Sequence, residues 1–441
     1  MTPHKLMYAA DFYKVSHKEQ YPKDVTKVHS VLTARSVNYN EYIDQEKFFW
    51  FGLELYLAKL DSFSDWFFSL THYQMEEELE AYKDFLDERL GGDNSINHWR
   101  DLWEERQLPL IIHSVEERSV CNLQTPLLTV ENTIDEFAWL TSFIETSLLS
   151  NVWGVTTAAN RAWNIRNTIE GYFEGYTPEE KEAIDFMCHD FSYRGMAGDD
   201  AAAVIGCGHL SQFKGSDTIP AIMNMEYYYG EVTGFSVPAT EHSVMCAGGS
   251  DSELDTYDRI IDLYPTGIVS LVSDAWDYFN VLKNILPQLK DKIMARDGKV
   301  VIRPDSGDPV KIICGDDEGH ESSLEILDSI FGHTLDSKGL KVLDSHIGLI
   351  YGDGMTQQTI DKMLSTMVSK GYSPLNIVFG VGAYTYQLMT RDELGLAFKA
   401  TAVERNGEWV NIQKDPKTDS GKKSLTGRFT PNTNPELKQV Y

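Results

Sequence analysis

The sequence predicts an α/β protein whose second half is built from parallel βα units, and three observations carry that expectation. From about residue 265, four short apolar runs recur, each closed by a polar or glycine-rich turn. The runs are continuously apolar rather than alternating, as strands buried on both faces are. Three of them lead into segments whose apolar residues recur at helical spacing.

In chain order, GIVSLVSDAWD runs into a helix expected over 276–294, with apolar positions at Phe279, Leu282, Ile285, Leu286 and Leu289. KVVIRPDSGDP is followed, after an acidic insertion, by a helix around 324–335. HIGLIYGDGMT leads to a helix over 360–368, with Ile360, Met363, Leu364 and Met367 on one face. NIVFGVGAYTY leads to Gln387 and beyond. LAFKATAVERNGEWVNIQ then reads as a hairpin turning at Asn406-Gly407. The first part of the chain mixes aromatic-rich helical stretches (48–60 and 66–90) with β-like runs over 108–132. A long helical region over 136–176 is expected to be interrupted around Trp153-Gly154, with Thr156 or Thr157 capping its second half. In a parallel barrel or open sheet, the residues just past each strand share one rim, where ligands bind. Asp274, Arg303, Asp305, Gly352, Asp353 and Gly382 are therefore expected to face one cavity.

A chain of 441 residues allows two domains or one large barrel with additions. A net charge of −28 argues against a broad nucleic-acid footprint and against acidic membranes. It leaves room for a phosphorylated substrate held by a few arginines in one pocket. Five scattered cysteines without a CxxC fit a reducing cytoplasm better than a disulfide framework and offer no zinc site. The opening MTPHKLMYAADFYK lacks a signal-peptide core and no apolar run approaches a membrane span, so a soluble intracellular protein is expected.

Single motifs carry limited weight. An aspartate after a strand is usually a helix cap, but glycines flanking Asp353 let backbone N–H groups approach a phosphate or ribose hydroxyl. In VIRPDSGDP, Arg303 beyond a buried strand suits a diphosphate and Asp305 a ribose diol, against the blander reading of a structural ion pair. HDFSYRG sets Phe191 and Arg194 before a small-residue run that looks like a helix N-terminus, a favourable anion site. Asp217 in FKGSDT and the Glu241-His242 pair in PATEHS read singly as a turn former and a structural histidine.

Taken together and in order, DFYKVSHKEQYP, HDFSYRG, FKGSDT, GFSVPATEHS, VSDAWD, IRPDSGDP, YGDG and TRDELGLAFK resemble the nicotinamide phosphoribosyltransferase family, from about Ala10 to about Arg428. The resemblance implies an irregular α/β barrel of type II phosphoribosyltransferase kind over 151–394. A smaller α/β domain would come from 1–150 joined by 395–441. It further implies a homodimer with two sites at the interface, making nicotinamide mononucleotide for NAD salvage from nicotinamide and phosphoribosyl pyrophosphate. Family roles fall on matching positions. Phe191 stacks on one face of the pyridine ring and the partner subunit's Tyr13 on the other; Asp217 takes the carboxamide, with Ser236 nearby. Arg194, His242 and Arg303 hold the diphosphate, while Asp305, Gly352 and Asp353 hold ribose and the 5′-phosphate end. Arg35, Arg391 and Lys399 resemble the basic residues that reach the phosphates from the second subunit. Asp11, Asp274 and Lys414 match further active-site positions.

By the same resemblance, ATP is a co-substrate that phosphorylates a histidine matched by His242, with Glu241 or Asp274 to polarise it, and Mg²⁺ is bound mainly through the diphosphate. The chain departs from the animal pattern at FGVGAYTYQ, where Gly382 is followed by Ala383 in place of a phosphate-contacting glycine. It also reaches Tyr441 soon after KKSLTGRF, without the long tail of animal members, so dimer packing or nucleotide contacts are open to differ. The nearest alternative is a nicotinate phosphoribosyltransferase, against which the Asp217 carboxylate speaks. A glycoside hydrolase would leave Arg194 and Arg303 nothing to neutralise. A non-catalytic nucleotide-binding protein would be expected to lack His242 or Asp305.

Overall fold

In the computed structural model the described residues are 3–35, 46–316, 318–414, 417 and 424–431. The chain divides into two compact units, Met1–Thr157 with Thr390–Tyr441, and Ala158–Met389.

The first unit holds an antiparallel sheet in the order Glu408–Asn411, Ala397–Arg405, Val25–Thr33, Leu128–Asn132, Leu110–Ser114. Asn406 and Gly407, with φ of 51° and 79°, make the two-residue hairpin turn expected of Asn-Gly. The helices Leu53–Ser69, His72–Leu90 and Asn97–Glu105 supply an aromatic core in which Trp50, Phe63, Phe67 and Trp99 are fully buried. The helical stretches expected over 48–60 and 66–90 need correction. Lys47–Phe49 is a strand paired with Val120–Asn122, and the helix starts only after Gly52, whose φ of 107° breaks the strand. Trp66 belongs to that first helix. The next begins at His72, behind a capping box of Thr71 and Gln74.

Glu145–Tyr172 is one uninterrupted helix of 28 residues, so the break expected at Trp153-Gly154 is absent. Thr157 donates back to the Trp153 carbonyl at 2.7 Å and Thr156 to the Phe51 carbonyl at 2.7 Å, which occupies both hydroxyls without capping. The division between the two units falls inside this helix.

The second unit is built on six parallel strands in the order Gly215–Ser216, Cys188–Asp190, Ile377–Val381, Ile347–Tyr351, Asp297–Arg303, Thr266–Val272. The two edge strands are joined through residues 235–240. Phe235 bridges in parallel to Gly215 and Ala239 to Ser270, with Ser216 N–H donating to the Phe235 carbonyl and Thr240 N–H to the Ser270 carbonyl. The sheet thereby closes into an irregular barrel, the α/β architecture expected. Pro238 leaves this seventh segment without a full ladder, which is why it does not read as a strand.

The helices after the strands follow the expected register with exceptions. Gln357–Ser369 buries Ile360, Met363, Leu364 and Met367 as read. After Thr266–Val272 the helix starts at Tyr278, behind an Asp277 cap, and passes through a π turn over Val281–Ile285 before Leu286–Met294. Pro287, with no N–H to donate, accounts for that widening. DSGDP feeds straight into a short helix, Pro309–Cys314, capped by Asp308. The later helix is Ser323–Phe331, and His333–Leu335 is a strand paired with Lys341–Leu343. Among the described residues no helix is long and apolar enough to cross a membrane, and the five cysteines are free thiols.

Candidate active site

Five of the six expected rim residues, Arg303, Asp305, Gly352, Asp353 and Gly382, line one cavity of about 670 Å³ in the barrel unit, together with Phe191, Arg194, Asp217, Glu241 and Ala383. The sixth, Asp274, stands behind that lining. Its carboxylate holds His242 Nε2 at 3.0 Å through Oδ1 and accepts from Ser306 at 2.6 Å through Oδ2. Of the two carboxylates the sequence left open, Asp274 is therefore the one on the imidazole. Glu241 takes a hydrogen bond from Ser243 instead. A carboxylate only accepts, so His242 donates to it from Nε2 and leaves Nδ1 outside this hydrogen bond.

Part of the cavity wall is an aromatic shelf. The Phe191 ring lies over two glycines at adjacent strand ends. A Cβ on Gly380 would come within 2.4 Å of the ring, and one on Gly352 within 3.0 Å. These glycines are required by the close approach of the ring, whatever their φ. Beside the shelf, Asp217 Oδ1 accepts from His189 Nε2 at 2.9 Å and from the Ser236 hydroxyl. Burial pushes the Asp217 carboxyl up, but the hydrogen bonds from His189 and Ser236 and the charges of His189 and Arg303 outweigh it and hold it below the usual carboxylate range. The group is ionised.

Two buried residues that sequence reading passed over fix the turns that carry Phe191 and Asp217. Asp190 accepts from Ser192 N–H at 2.9 Å and from the Thr218 hydroxyl at 2.7 Å, and its carbonyl receives Asp217 N–H at 3.0 Å. It thus ties the Phe191 turn to the Asp217 turn. Strand alternation in HDF, which puts Asp190 on the face opposite Phe191, was the available signal. His209 donates from Nε2 to the Gly215 carbonyl at 2.8 Å and accepts the Tyr386 hydroxyl at 2.7 Å; burial lowers it to about 4, so it stays neutral at physiological pH.

Charged groups line the same cavity close to the shelf. Arg303 donates from Nη2 to the Thr240 carbonyl at 2.8 Å, and its guanidinium sits 6.0 Å from the Phe191 ring centroid. Its Nε is buried with no partner among the described residues. Asp305 is raised above the usual carboxylate range by burial first, with Asp274 and Asp353 adding to the rise and Arg303 and His242 opposing it. An acid whose folded pKa is raised costs stability once pH passes that value, and the cost vanishes below its ordinary value. Asp305→Asn is therefore expected to raise the melting temperature at neutral pH, with the difference from wild type disappearing near pH 3. Thermal unfolding followed across pH checks this.

Arg194 lines the cavity from the turn Tyr193–Gly195. The helix that follows starts only at Asp199, and its first turn carries Asp199 and Asp200. Two acids there disfavour the helix N-terminal anion site that the small-residue run suggested. Ala383 occupies the space a Cβ on Gly195 would need, 2.3 Å away. Its backbone does not have positive φ, so alanine fits there without strain because residue 195 is glycine.

The remaining expected residues lie in the other compact unit. Tyr13 is exposed. Asp11 accepts from the Thr146 hydroxyl at 2.7 Å. Lys399 and the buried Lys14 share Glu145. Arg35 donates to the Gly395 carbonyl at 3.1 Å, Arg391 is exposed beside Asp392, and Lys414 N–H donates to Ser424.

Residues 186–441 match the family profile described as nicotinate phosphoribosyltransferase (NAPRTase) family, and residues 5–106 match nicotinamide phosphoribosyltransferase, N-terminal domain. The chain is 41% identical to a nicotinamide phosphoribosyltransferase of Acinetobacter baylyi, over 95% of this chain and 86% of that protein. It is 37% identical to the one of Mycoplasma genitalium, over 96% and 95%. Among solved structures, nicotinate-nucleotide pyrophosphorylase from Pyrococcus furiosus superposes with a TM-score of 0.56 at 13% identity, over 96% of this chain and 80% of that one. Human nicotinic acid phosphoribosyltransferase gives 0.56 at 13%, over 89% and 74%. At such identities these two speak for the fold, a type II phosphoribosyltransferase barrel. The sequence matches speak for more: the chain belongs to the nicotinamide phosphoribosyltransferase family.

Proposed function

We propose that this cavity joins nicotinamide to C1 of phosphoribosyl pyrophosphate, giving nicotinamide mononucleotide and pyrophosphate. The observation that carries this reading is an ionised carboxylate, Asp217, beside the Phe191 ring in a cavity that also presents Arg194 and Arg303. That combination suits a neutral carboxamide-bearing ring on Phe191 and a diphosphate on the arginines. The pyridine nitrogen forms the bond to C1 as the C1–O bond to diphosphate breaks, and the electron pair leaves with pyrophosphate. Phe191 holds the ring in line, which contributes through orientation. Arg303 and Arg194 meet the charge that develops on the departing diphosphate. Asp305 and Asp353 accept from ribose hydroxyls.

Mg²⁺ fits this cavity as a companion of the substrate. The carboxyl of Asp305, raised by burial and further by Asp274 and Asp353, favours a nearby cation. Yet Asp274, Asp305 and Asp353 do not form a set of ligands close enough to cage an ion among the described residues. Asp305 and Asp353 would hold a diphosphate-bound Mg²⁺, which supplies further neutralisation of leaving-group charge.

ATP coupling through His242 fits its hydrogen bond to Asp274, which retains the Nε2 proton while the Nδ1 lone pair attacks the γ-phosphorus and ADP leaves. His242→Ala is expected to abolish ATP stimulation and ATP hydrolysis while leaving slow synthesis. Measuring nicotinamide mononucleotide formation with and without ATP checks it, and full stimulation in the mutant removes His242 from this role.

A homodimer with shared sites is part of the same reading. Ile219, Met223 and Tyr227 repeat at helical spacing and are exposed by 66%, 63% and 76%, an apolar stripe that favours a protein partner. Mixing inactive Arg391→Ala with inactive Asp305→Ala is expected to restore about a quarter of wild-type activity after random reassortment, because a mixed dimer has one intact site. A fully active monomer defeats it. Free thiols throughout the chain favour the cytoplasm.

A further inference from the structure

We infer that His189 is a positioning residue for base selection: it and Ser236 saturate one oxygen of Asp217 and reserve the other for the carboxamide. This rests on the assignment of Asp217 to the substrate's carboxamide and names what makes that assignment effective.

His189 is the middle residue of the Cys188–Asp190 strand, paired with Gly380 on one side and Gly215 on the other. The Gly215 backbone lies against its imidazole, so closely that a Cβ there would approach Nδ1 to 2.8 Å. The Phe191 ring lies 5.0 Å away, centroid to centroid. Packed between these, the imidazole reaches Asp217 Oδ1 at 2.9 Å. The carboxylate can only accept, so His189 donates from Nε2. Ser236 donates to the same oxygen. Among the described residues no donor reaches Asp217 Oδ2. The carboxylate is thus held by one oxygen, with its rotation about the side chain stopped and its second oxygen free. Asp217 lines the cavity while His189 stands behind it.

An unpinned carboxylate would lose this arrangement in two ways. Oδ2 would no longer be fixed where the carboxamide N–H arrives, and the charge could turn away from the carboxylate of a competing nicotinate. Both effects erode the preference for nicotinamide. His189 touches no substrate in this arrangement; it acts through Asp217.

His189→Leu keeps bulk and removes the donor, whereas His189→Gln keeps a donor nitrogen at the reach of Nε2. The ratio of kcat/KM for nicotinamide to that for nicotinate is measured for both variants, for Asp217→Asn and for wild type, with melting temperatures. His189→Leu is expected to lower the ratio about tenfold, the loss of one charge-assisted hydrogen bond. KM for nicotinamide should rise while KM for phosphoribosyl pyrophosphate is unchanged, and His189→Gln should restore most of the ratio. If Asp217→Asn loses the preference and His189→Leu keeps it, His189 has no such role although Asp217 does. If neither variant alters the ratio, the assignment of Asp217 fails and this inference with it. Should His189→Leu not fold, the Gln variant decides: a folded His189→Gln whose preference drops to that of Asp217→Asn overturns the proposal.

Discussion

Arg303→Ala is expected to lower kcat/KM by on the order of 10²–10³-fold, since it removes a preorganised donor from the developing diphosphate charge. The side chain comes off the end of the Asp297–Arg303 strand and is braced by the Thr240 carbonyl, while Nε is buried without a partner. A buried donor left unsatisfied is costly, and here a phosphate oxygen of the substrate is its natural acceptor. Lysine at this position would keep the charge and lose the fork, so Arg303→Lys should recover only part of the activity. The measurement is steady-state kinetics with phosphoribosyl pyrophosphate varied, beside a melting curve. A folded Arg303→Ala protein with activity near wild type would take the diphosphate away from this residue.

The second large effect is on choice of base. Nicotinamide and nicotinate differ only in carboxamide against carboxylate, so discrimination comes from groups around that substituent. Asp217 is ionised and offers an acceptor to an amide N–H. Against nicotinate it sets two negative charges a few ångströms apart. At an effective dielectric near 20 the repulsion is on the order of a few kcal/mol, roughly a hundredfold in kcat/KM. Asp217→Asn removes the charge while keeping the size. It is expected to weaken use of nicotinamide and raise relative use of nicotinate, without greatly changing KM for phosphoribosyl pyrophosphate. A well-folded mutant with the original ratio of kcat/KM would reduce Asp217 to a turn former.

Much of the barrel unit is legible in the sequence because its strands are buried on both faces and end in turns of distinct chemistry. The Ile347–Tyr351 strand and the helix with Ile360, Met363, Leu364 and Met367 buried are examples. Elements held by tertiary contacts are harder to see. Residues 235–240 join the barrel through single bridges beside Pro238, and no local periodicity marks them. Trp153-Gly154 looks like a break, yet the helix runs through because glycine is tolerated where flanking turns are packed. At the site, the motifs bring out Phe191, Asp217, Arg303 and Asp305. The partners that orient them are contacts between segments distant in sequence: Asp274 on His242, His189 on Asp217, Asp190 on Thr218. Ala383 shows the same limit, since its tolerance depends on Gly195, nearly two hundred positions earlier.

The most direct test offers the wild-type protein phosphoribosyl pyrophosphate, Mg²⁺ and equal concentrations of nicotinamide and nicotinate, with the mononucleotide products separated and identified. An ionised Asp217 beside the Phe191 shelf predicts nicotinamide mononucleotide as nearly the sole product, by roughly a hundredfold or more. Nicotinate mononucleotide as the main product, or equal amounts of the two, would contradict it.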